Sequence, residues 1–437
     1  MINLFFVGIL ISLVIVFIPT VFTASMLIGI SSILICLFIL NSAIEKSNER
    51  IFLLNIFFLS LLLRTLSSFL LYNLVFIHTG TGLLGDAWSY SENGWKIVDM
   101  WVSGVRDIKY IYNYVRHIST SGTLSAFDFW NAMVYFFTGK SPLFITFINS
   151  LASSSTAIFI YYIALQLYNE KAARISAVLT AFWPSLFIWS IQDLKEPLSI
   201  FLIVVLIWAI LQLKTRFRFY LLLIAVLSSV ALKELRFVSF FIFYALIFPI
   251  SLIIFLWNKH KFLFILIIIL AIAIAATCTY NYIMKFLPGG KNSLSFVEYI
   301  YQMRTFRTYG NTAFLANLDI RNPLSFMFFV PVALFIAWLA PFPWQLGSIS
   351  QIMGMPEMLI YYLLLPAMFS GWNFIMKYKI KEGGIIILYI FIMMLVLAFI
   401  EGNIGTLFRH RAMVLPFIFI LIGIGLEKKI LKATTRI

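Results

Sequence analysis

Charge is what this sequence has least of. Asp, Glu, Lys and Arg make up 11% of its 437 residues, whereas a water-soluble domain carries roughly 25%. Water could not hold such a surface in solution. Acid is the scarcer sign, with 17 Asp and Glu against 32 Lys and Arg. No charged side chain precedes Glu45, so the basic start of a cleavable leader is missing. The two cysteines, Cys36 and Cys278, lie in apolar stretches and form no metal-ligand cluster. No His/Cys set has zinc spacing. No Asp-x-Asp pair is present to hold a metal diphosphate, and no Gly-x-Ser-x-Gly nucleophile elbow occurs. Thr138-Gly139-Lys140-Ser141 has the end of a phosphate loop, but Val134 stands where its first glycine is required. No polar stretch is long enough to be a separate globule.

What the chain does have is apolar length. Hydrophobic residues make up 62% and the mean hydropathy is +1.00. A membrane-crossing helix needs about 20 apolar residues. The pattern predicts an all-α bundle, one transmembrane domain over 1–437, with twelve spans. They fall near 2–18, 20–40, 51–77, 141–167, 172–190, 196–213, 217–232, 236–257, 262–283, 357–376, 384–400 and 412–427. The first two make an N-terminal hairpin over 1–40, split near Pro19.

Short basic loops set the orientation, because Lys and Arg accumulate on the cytoplasmic side. Lys46 and Arg50, Lys171 and Arg174, Lys214 to Arg218, Lys259 and Lys261, Lys377 to Lys381 and the Lys428–Arg436 tail all fall on one side. This bias accounts for the net charge of +15 without a nucleic-acid partner. Long outer loops follow at 78–140 and 284–344. Within the second, 325–341 is apolar enough to span. Counting it would invert the Lys377–Lys381 loop, so 325–344 reads as a re-entrant or interfacial element ending at Pro341-Phe342-Pro343-Trp344.

Several polar residues stand at outer span ends. Asp86, in Gly85-Asp86-Ala87-Trp88-Ser89-Tyr90, opens the first outer loop. Partial desolvation there would raise its pKa and make it a better base, and aromatic neighbours such as Tyr90 could stack on a sugar. The plainer reading is a polar loop start with interface anchors. Asp193, Lys195 and Glu196 lie in a short outer loop before Pro197. The helix dipole accounts for the acids but not for Lys195, whose ammonium suits a lipid-linked phosphate. Lys233, Glu234 and Arg236 sit at another outer turn, where pairing with one another suffices. Arg409 and Arg411 flank His410 before the last span, and Glu401 opens the same loop. Two guanidiniums can clamp a pyrophosphate bidentately; span-end flanking is the alternative, although these cations stand on the side the bias disfavours. Arg64 lies inside the third span, where a charge is a functional hypothesis by default. It could snorkel outward to the same site, or pair with a carboxylate.

Four stretches then carry a family likeness: Gly85–Tyr90; Asp193–Phe201; Ala340–Gln345 followed by Met355–Pro366; and Phe408–Glu427, with its Arg-x-Arg before a Pro-containing span. They cover about a tenth of the chain. In order and placement they resemble the GT-C superfamily of membrane glycosyltransferases, nearest to bacterial relatives of the protein mannosyltransferases and lipid A aminoarabinose transferases. The resemblance implies a sugar donor on a polyprenyl phosphate, used on the outer face of a bacterial plasma membrane. It also implies an inverting displacement with Asp86 as base and a glycan or lipid acceptor. One departure is that Asp86 follows the third span, not the first, as two extra N-terminal spans would require. No cofactor is implied, and a divalent metal stays open. An O-antigen-type polymerase or ligase, and a flippase or transporter of lipid-linked sugars, remain the alternatives.

Overall fold

The computed structural model describes residues 49–76, 78, 85–119, 124–236, 296–308, 312–316, 318–345 and 349–434. The expected spans at 2–18, 20–40, 236–257 and 262–283 lie outside these residues. Among the described residues the chain is helical, with one isolated antiparallel bridge between Ala313 and Asn403. It divides into two compact units: 1–159 with 180–203, and 160–179 with 204–437.

The first unit opens with α1, Glu49–Leu71, prolonged by a π-helical turn over Tyr72–Phe76. Three helices follow where the sequence predicts a surface loop: α2 (Gly85–Val102), α3 (Ile108–Ile118) and α4 (Ala126–Thr138). Their ends are specified locally. The Asp107 carboxylate caps α3 by accepting from the backbone N–H of Lys109 and Tyr110 at 2.8 and 3.2 Å. Asp128, in the first turn of α4, accepts from the Ser125 backbone N–H at 2.6 Å, which is half of a capping box. Gly139, at φ +72°, ends α4 in a conformation that disfavours a side chain. Isoleucine 111 and valine 115 of α3 are fully buried, so this helix packs on the protein by one stripe.

α5 (Pro142–Leu167), α6 (Glu170–Phe182), α7 (Pro184–Ser190) and α8 (Glu196–Thr215) follow; of these, residues 160–179 and 204–215 are counted in the second unit. The single span expected at 172–190 is α6 and α7 together, bent by 48°. Pro184 is the cause: it lacks an N–H and cannot continue the ladder. A broken helix leaves its last carbonyls without intrahelical partners. Arg64 of α1 supplies one, its Nη1 donating to Ala181 O at 2.7 Å.

The second unit contains α9 (Phe219–Leu235), α10 (Phe296–Arg307), α11 (Pro323–Leu339), α12 (Ile349–Tyr378), α13 (Ile380–Ile400), α14 (Ile404–Arg411) and α15 (Leu415–Thr434). α12 and α15 form its closest pair. Their backbones approach through glycine: a Cβ on Gly371 would overlap the Leu421 carbonyl, and one on Gly425 the Ala367 carbonyl. Phe417 through Ile422 are fully buried, so α15 is the unit's central helix.

Five described helices are long and apolar enough to cross a membrane: Glu49–Val75, Pro142–Leu167, Glu196–Thr215, Gly354–Tyr378 and Ile380–Ile400. The bent α6–α7 pair would make six. α11 has 17 residues and reaches about 26 Å at 1.5 Å per residue, short of the ~30 Å hydrocarbon core.

Candidate functional site

The first unit holds a cleft where the end of α1, the start of α2, the start of α5 and the α7–α8 loop meet. Ser68, Tyr72, Ala87, Leu143, Thr146 and the loop residues Ile191–Asp193 line it. The loop is fixed from behind. The Asn149 side-chain amide on α5 donates to the carbonyls of Gln192 and Leu194, both at 2.9 Å. The Asn131 amide on α4 donates to both Asp193 carboxylate oxygens, at 2.9 and 2.7 Å. Gln192 Nε2 donates back to Ile188 O at 3.0 Å.

Asp193 is only 2% exposed. Burial pushes its carboxyl up to about 8; the Asn131 amide pulls it down, and neighbouring Asp128 pushes it further up. Asp128 is 1% exposed. It accepts from Ser125 Oγ at 2.8 Å and Asn93 Nδ2 at 3.0 Å. Burial lifts this carboxyl above the usual range even though these donors and the Lys195 charge pull it down. Two carboxyls thus sit in a buried amide network behind the cleft wall, and a perturbed carboxyl in a cleft is a functional-site candidate.

In the same loop, the Lys195 ammonium lies 5.7 Å from the centre of the Tyr90 ring, and Tyr90 packs edge-on against Phe127 at 5.1 Å. Asp86 is four residues before Tyr90 on α2, hence on the same helix face one turn away. The fold therefore gathers Asp86, Tyr90, Lys195 and Asp193 around one end of the unit. Asp86 is exposed; the desolvation expected for it is found at Asp193 instead. Glu196, the first residue of α8, is fully buried.

Arg64 does not snorkel. It is fully buried. Its Nε donates to Ser190 Oγ at 2.8 Å, its Nη1 to Ser60 Oγ and Ala181 O, and the guanidinium covers the Phe187 ring at 5.1 Å. These contacts tie α1 to the α6–α7 break.

Arg409 and Arg411 belong to the second unit, and the Lys195 site to the first. Arg411 is 1% exposed and turned inward. Its Nη1 donates to the carbonyls of Ala340, Trp338 and Ala337 at 2.7, 3.1 and 3.4 Å, and its Nη2 to Met358 Sδ at 2.8 Å. Those carbonyls are the open C-terminus of α11. The Tyr362 hydroxyl donates to Leu339 O at 2.6 Å beside them. Arg411 is therefore a helix cap, with its charge at the negative end of the dipole. Its buried fork is engaged by the protein, so the phosphate clamp expected of the pair does not extend to it. Arg409 is half-buried.

A second-unit cluster gathers around Glu401, which the sequence puts in one loop with His410 but not beside Arg304 or Arg307. This carboxylate, 1% exposed, is paired with Arg307, meets His410 Nδ1 at 2.8 Å and accepts from Thr406 Oγ1 at 2.9 Å. Burial would raise it, but His410, Arg307 and Thr406 outweigh burial and hold it at about 2. Arg304 completes the cluster by donating to Phe314 O at 2.7 Å and to Glu401 O. The result fastens the 304–314 segment to the 401–406 turn, where Phe314 N also donates to Gly402 O at 2.9 Å.

No group of three or more His, Cys, Asp or Glu among the described residues is disposed to hold a metal. In comparisons with known proteins, no family model and no curated protein matches this chain.

Proposed function

We propose that the protein is a multi-pass glycosyltransferase of the bacterial plasma membrane that takes a sugar from a polyprenyl phosphate on the outer face and passes it to an envelope glycan or lipid. The observation that carries this reading is the juxtaposition of Asp86, Tyr90 and Lys195, the last more than a hundred residues from the others in sequence, beside a cleft with a buried carboxyl wall. In the reaction an acceptor hydroxyl oxygen bonds to the anomeric carbon while the bond from that carbon to the phosphate oxygen breaks. Asp86 takes the hydroxyl proton as general base. The electron pair of the broken bond leaves with the lipid phosphate, and Lys195 stabilises that developing charge. Tyr90 offers a ring face to the sugar. Arg64 and Arg411, engaged by backbone carbonyls, have structural roles in this scheme. Arg64 thereby ceases to be the intramembrane charge a transporter reading would use.

Asp86→Asn keeps size and hydrogen bonding but removes the base. With purified protein and lipid-linked donor, turnover should fall by about 10²- to 10⁴-fold while donor binding persists. Near-normal turnover would remove Asp86 from the mechanism. Absence of transfer by the wild type from any polyprenyl-phosphate sugar would end the proposal.

A further inference from the structure

For a helix expected in a water-exposed loop, α4 is turned inside out. Its polar residues, Asp128, Asn131 and Thr138, are buried against the unit. The side chains left outside are Ala126, Phe129, Trp130, Met133, Phe136 and Phe137, which follow one face at helical spacing. Met133, Phe136 and Phe137 are 47, 52 and 59% exposed. Apart from the Trp130 indole N–H, itself buried, no side chain on this face can form a hydrogen bond. The apolar surface continues onto α2: Trp101 packs edge-on against Phe136 at 6.1 Å, and Val102, the next residue, is exposed. An amphipathic helix in water turns its polar stripe outward. A contiguous apolar patch on the outside marks contact with a membrane or with a partner.

The chain path and the charges choose between these. Gly139, Lys140 and Ser141 alone separate α4 from α5. Steps of 3.8 Å between successive Cα atoms therefore hold the end of α4 within about 15 Å of Pro142. α5 is long and apolar enough to cross a membrane, and Pro142 is its first residue. Phe136 and Phe137 are thus tethered near the level where hydrocarbon gives way to headgroups. Charge returns just there: Lys140 pairs with Glu92 at 2.5 Å and covers the Trp88 ring at 5.8 Å. A protein partner needs polar groups at the contact to fix its register, and this face supplies none. Acyl chains make no such demand.

We infer that α4 lies in the bilayer leaflet at that end of α5, with Phe129, Met133, Phe136 and Phe137 among the acyl chains of membrane lipids. In the orientation read from the basic loops this is the outer leaflet. The helix does not cross, because its 13 residues reach about 20 Å against a hydrocarbon core of ~30 Å. Its inner side holds the candidate site: Phe127 packs on Tyr90 at 5.1 Å, and Asn131 donates to Asp193. One helix, about 10 Å across, therefore stands between hydrocarbon and Tyr90. That suits a substrate that never leaves the bilayer. The immersion of α4 rests on the membrane reading; its use by a lipid-linked sugar rests on the proposed function.

The first test uses the full-length wild-type protein in liposomes of phosphatidylethanolamine and phosphatidylglycerol. A phospholipid with a diazirine in its acyl chain is photolysed, and peptide mass spectrometry locates the adducts. Adducts are expected on the α4 segment from Phe129 to Phe137, as on Leu63 and Leu70 of α1, which are exposed on a spanning helix. The second test places a nitroxide on Met133→Cys, Phe136→Cys or Phe137→Cys in a chain whose Cys36 and Cys278 have been replaced. Each should collide more with oxygen, which concentrates in hydrocarbon, than with a water-soluble nickel chelate. Asn113→Cys, on the exposed side of α3, should show the reverse. Adducts on α1 with none on α4, or nickel access at all three α4 positions, would overturn the immersion. Loss of both accesses with spin–spin broadening between molecules would replace the lipid by a second copy of the chain. A protein without adducts on either helix would lose the membrane reading and this inference together. The enzyme fails separately: a lipid-labelled α4 in a protein that transfers no sugar leaves the inference and ends the proposed function.

Discussion

Asp193 and Asp86 are two carboxylates in opposite settings, and the difference can be read as stability. Asp86 is exposed. Asp193 is buried and its carboxyl stands at about 8 against an ordinary 3.8. Between those two values the folded chain holds a proton that the unfolded chain has released. Stability from this group is therefore highest below 3.8, falls as pH rises through that window, and is fully lost above about 8. Asn is the neutral isostere and carries no such penalty. Asp193→Asn should thus melt above the wild type at pH 9, by several degrees, with the gap closing toward pH 4. Calorimetry or scanning fluorimetry across that range would measure it. A variant that melts lower at every pH would mean that Asp193 is a structural ion. A gain in stability joined to slower transfer would mark a carboxyl retained for function at the expense of the fold.

The broken helices show where sequence and structure part company. Hydropathy places α1, α5, α8 and α13 within a few residues and the apolar part of α12, which begins eight residues before the expected span, because a membrane-length apolar run has few other fates. It merged α6 and α7 into one span over 172–190; the physical signal was Pro184 inside the run, which had to interrupt the ladder. It read 78–140 as a loop because α2 to α4 are amphipathic, and their stripes are buried by tertiary contacts no local window contains. The site was legible in the same uneven way. Asp86, Tyr90, Asp193 and Lys195 stood at helix ends, where polar residues draw notice. Asn131 and Asn149 are single amides in apolar helices, and only the three-residue spacing of Asp128 and Asn131 on one face hinted at a polar network.

The cap formed by Arg411 is hidden for a related reason: its partners, 71 to 74 residues earlier, are invisible locally. The cap makes a definite demand. A lysine ammonium can take the place of Nη1 at the carbonyls but cannot also fill that of Nη2 at Met358 Sδ. Arg411→Lys should lower thermal stability by about 1–3 kcal/mol. Unaltered melting with weakened donor binding would restore the phosphate role. Glu401 is a second joint of this kind. Its carboxylate is held at about 2 against an ordinary 4.5, so its stabilisation is present above 4.5 and lost as pH falls toward 2. Glu401→Gln should flatten the acid limb of the melting profile; an acid limb identical to the wild type's would place the sensitivity elsewhere.

At the scale of the whole molecule the cleft constrains the path of the chain. Pro142 and Leu143 at the start of α5 line it, and so do Ile191 to Asp193 after α7. The chain therefore leaves that end along α5 and has returned to it by residue 191, which is what α6–α7 would do as one bent crossing. Charge argues the same way. If α6–α7 crosses, Lys171 and Arg174 lie on the same side as Lys214, Arg216 and Arg218, as the positive-inside rule favours. If the pair only dips and re-enters, the second cluster moves to the opposite side. Parity makes the difference measurable. Between Ser103 and Thr215 lie three crossings in the first case and two in the second. Both residues are exposed at turns or helix ends, so each tolerates a cysteine once Cys36 and Cys278 have been replaced. An impermeant maleimide applied to spheroplasts should label Ser103→Cys at once and Thr215→Cys only after lysis. Labelling of both from outside would make α6–α7 re-entrant. Labelling of Thr215→Cys alone would invert the protein, put Asp86 and Lys195 on the cytoplasmic face, and leave a transferase acting on outward-facing lipid-linked sugars without its site.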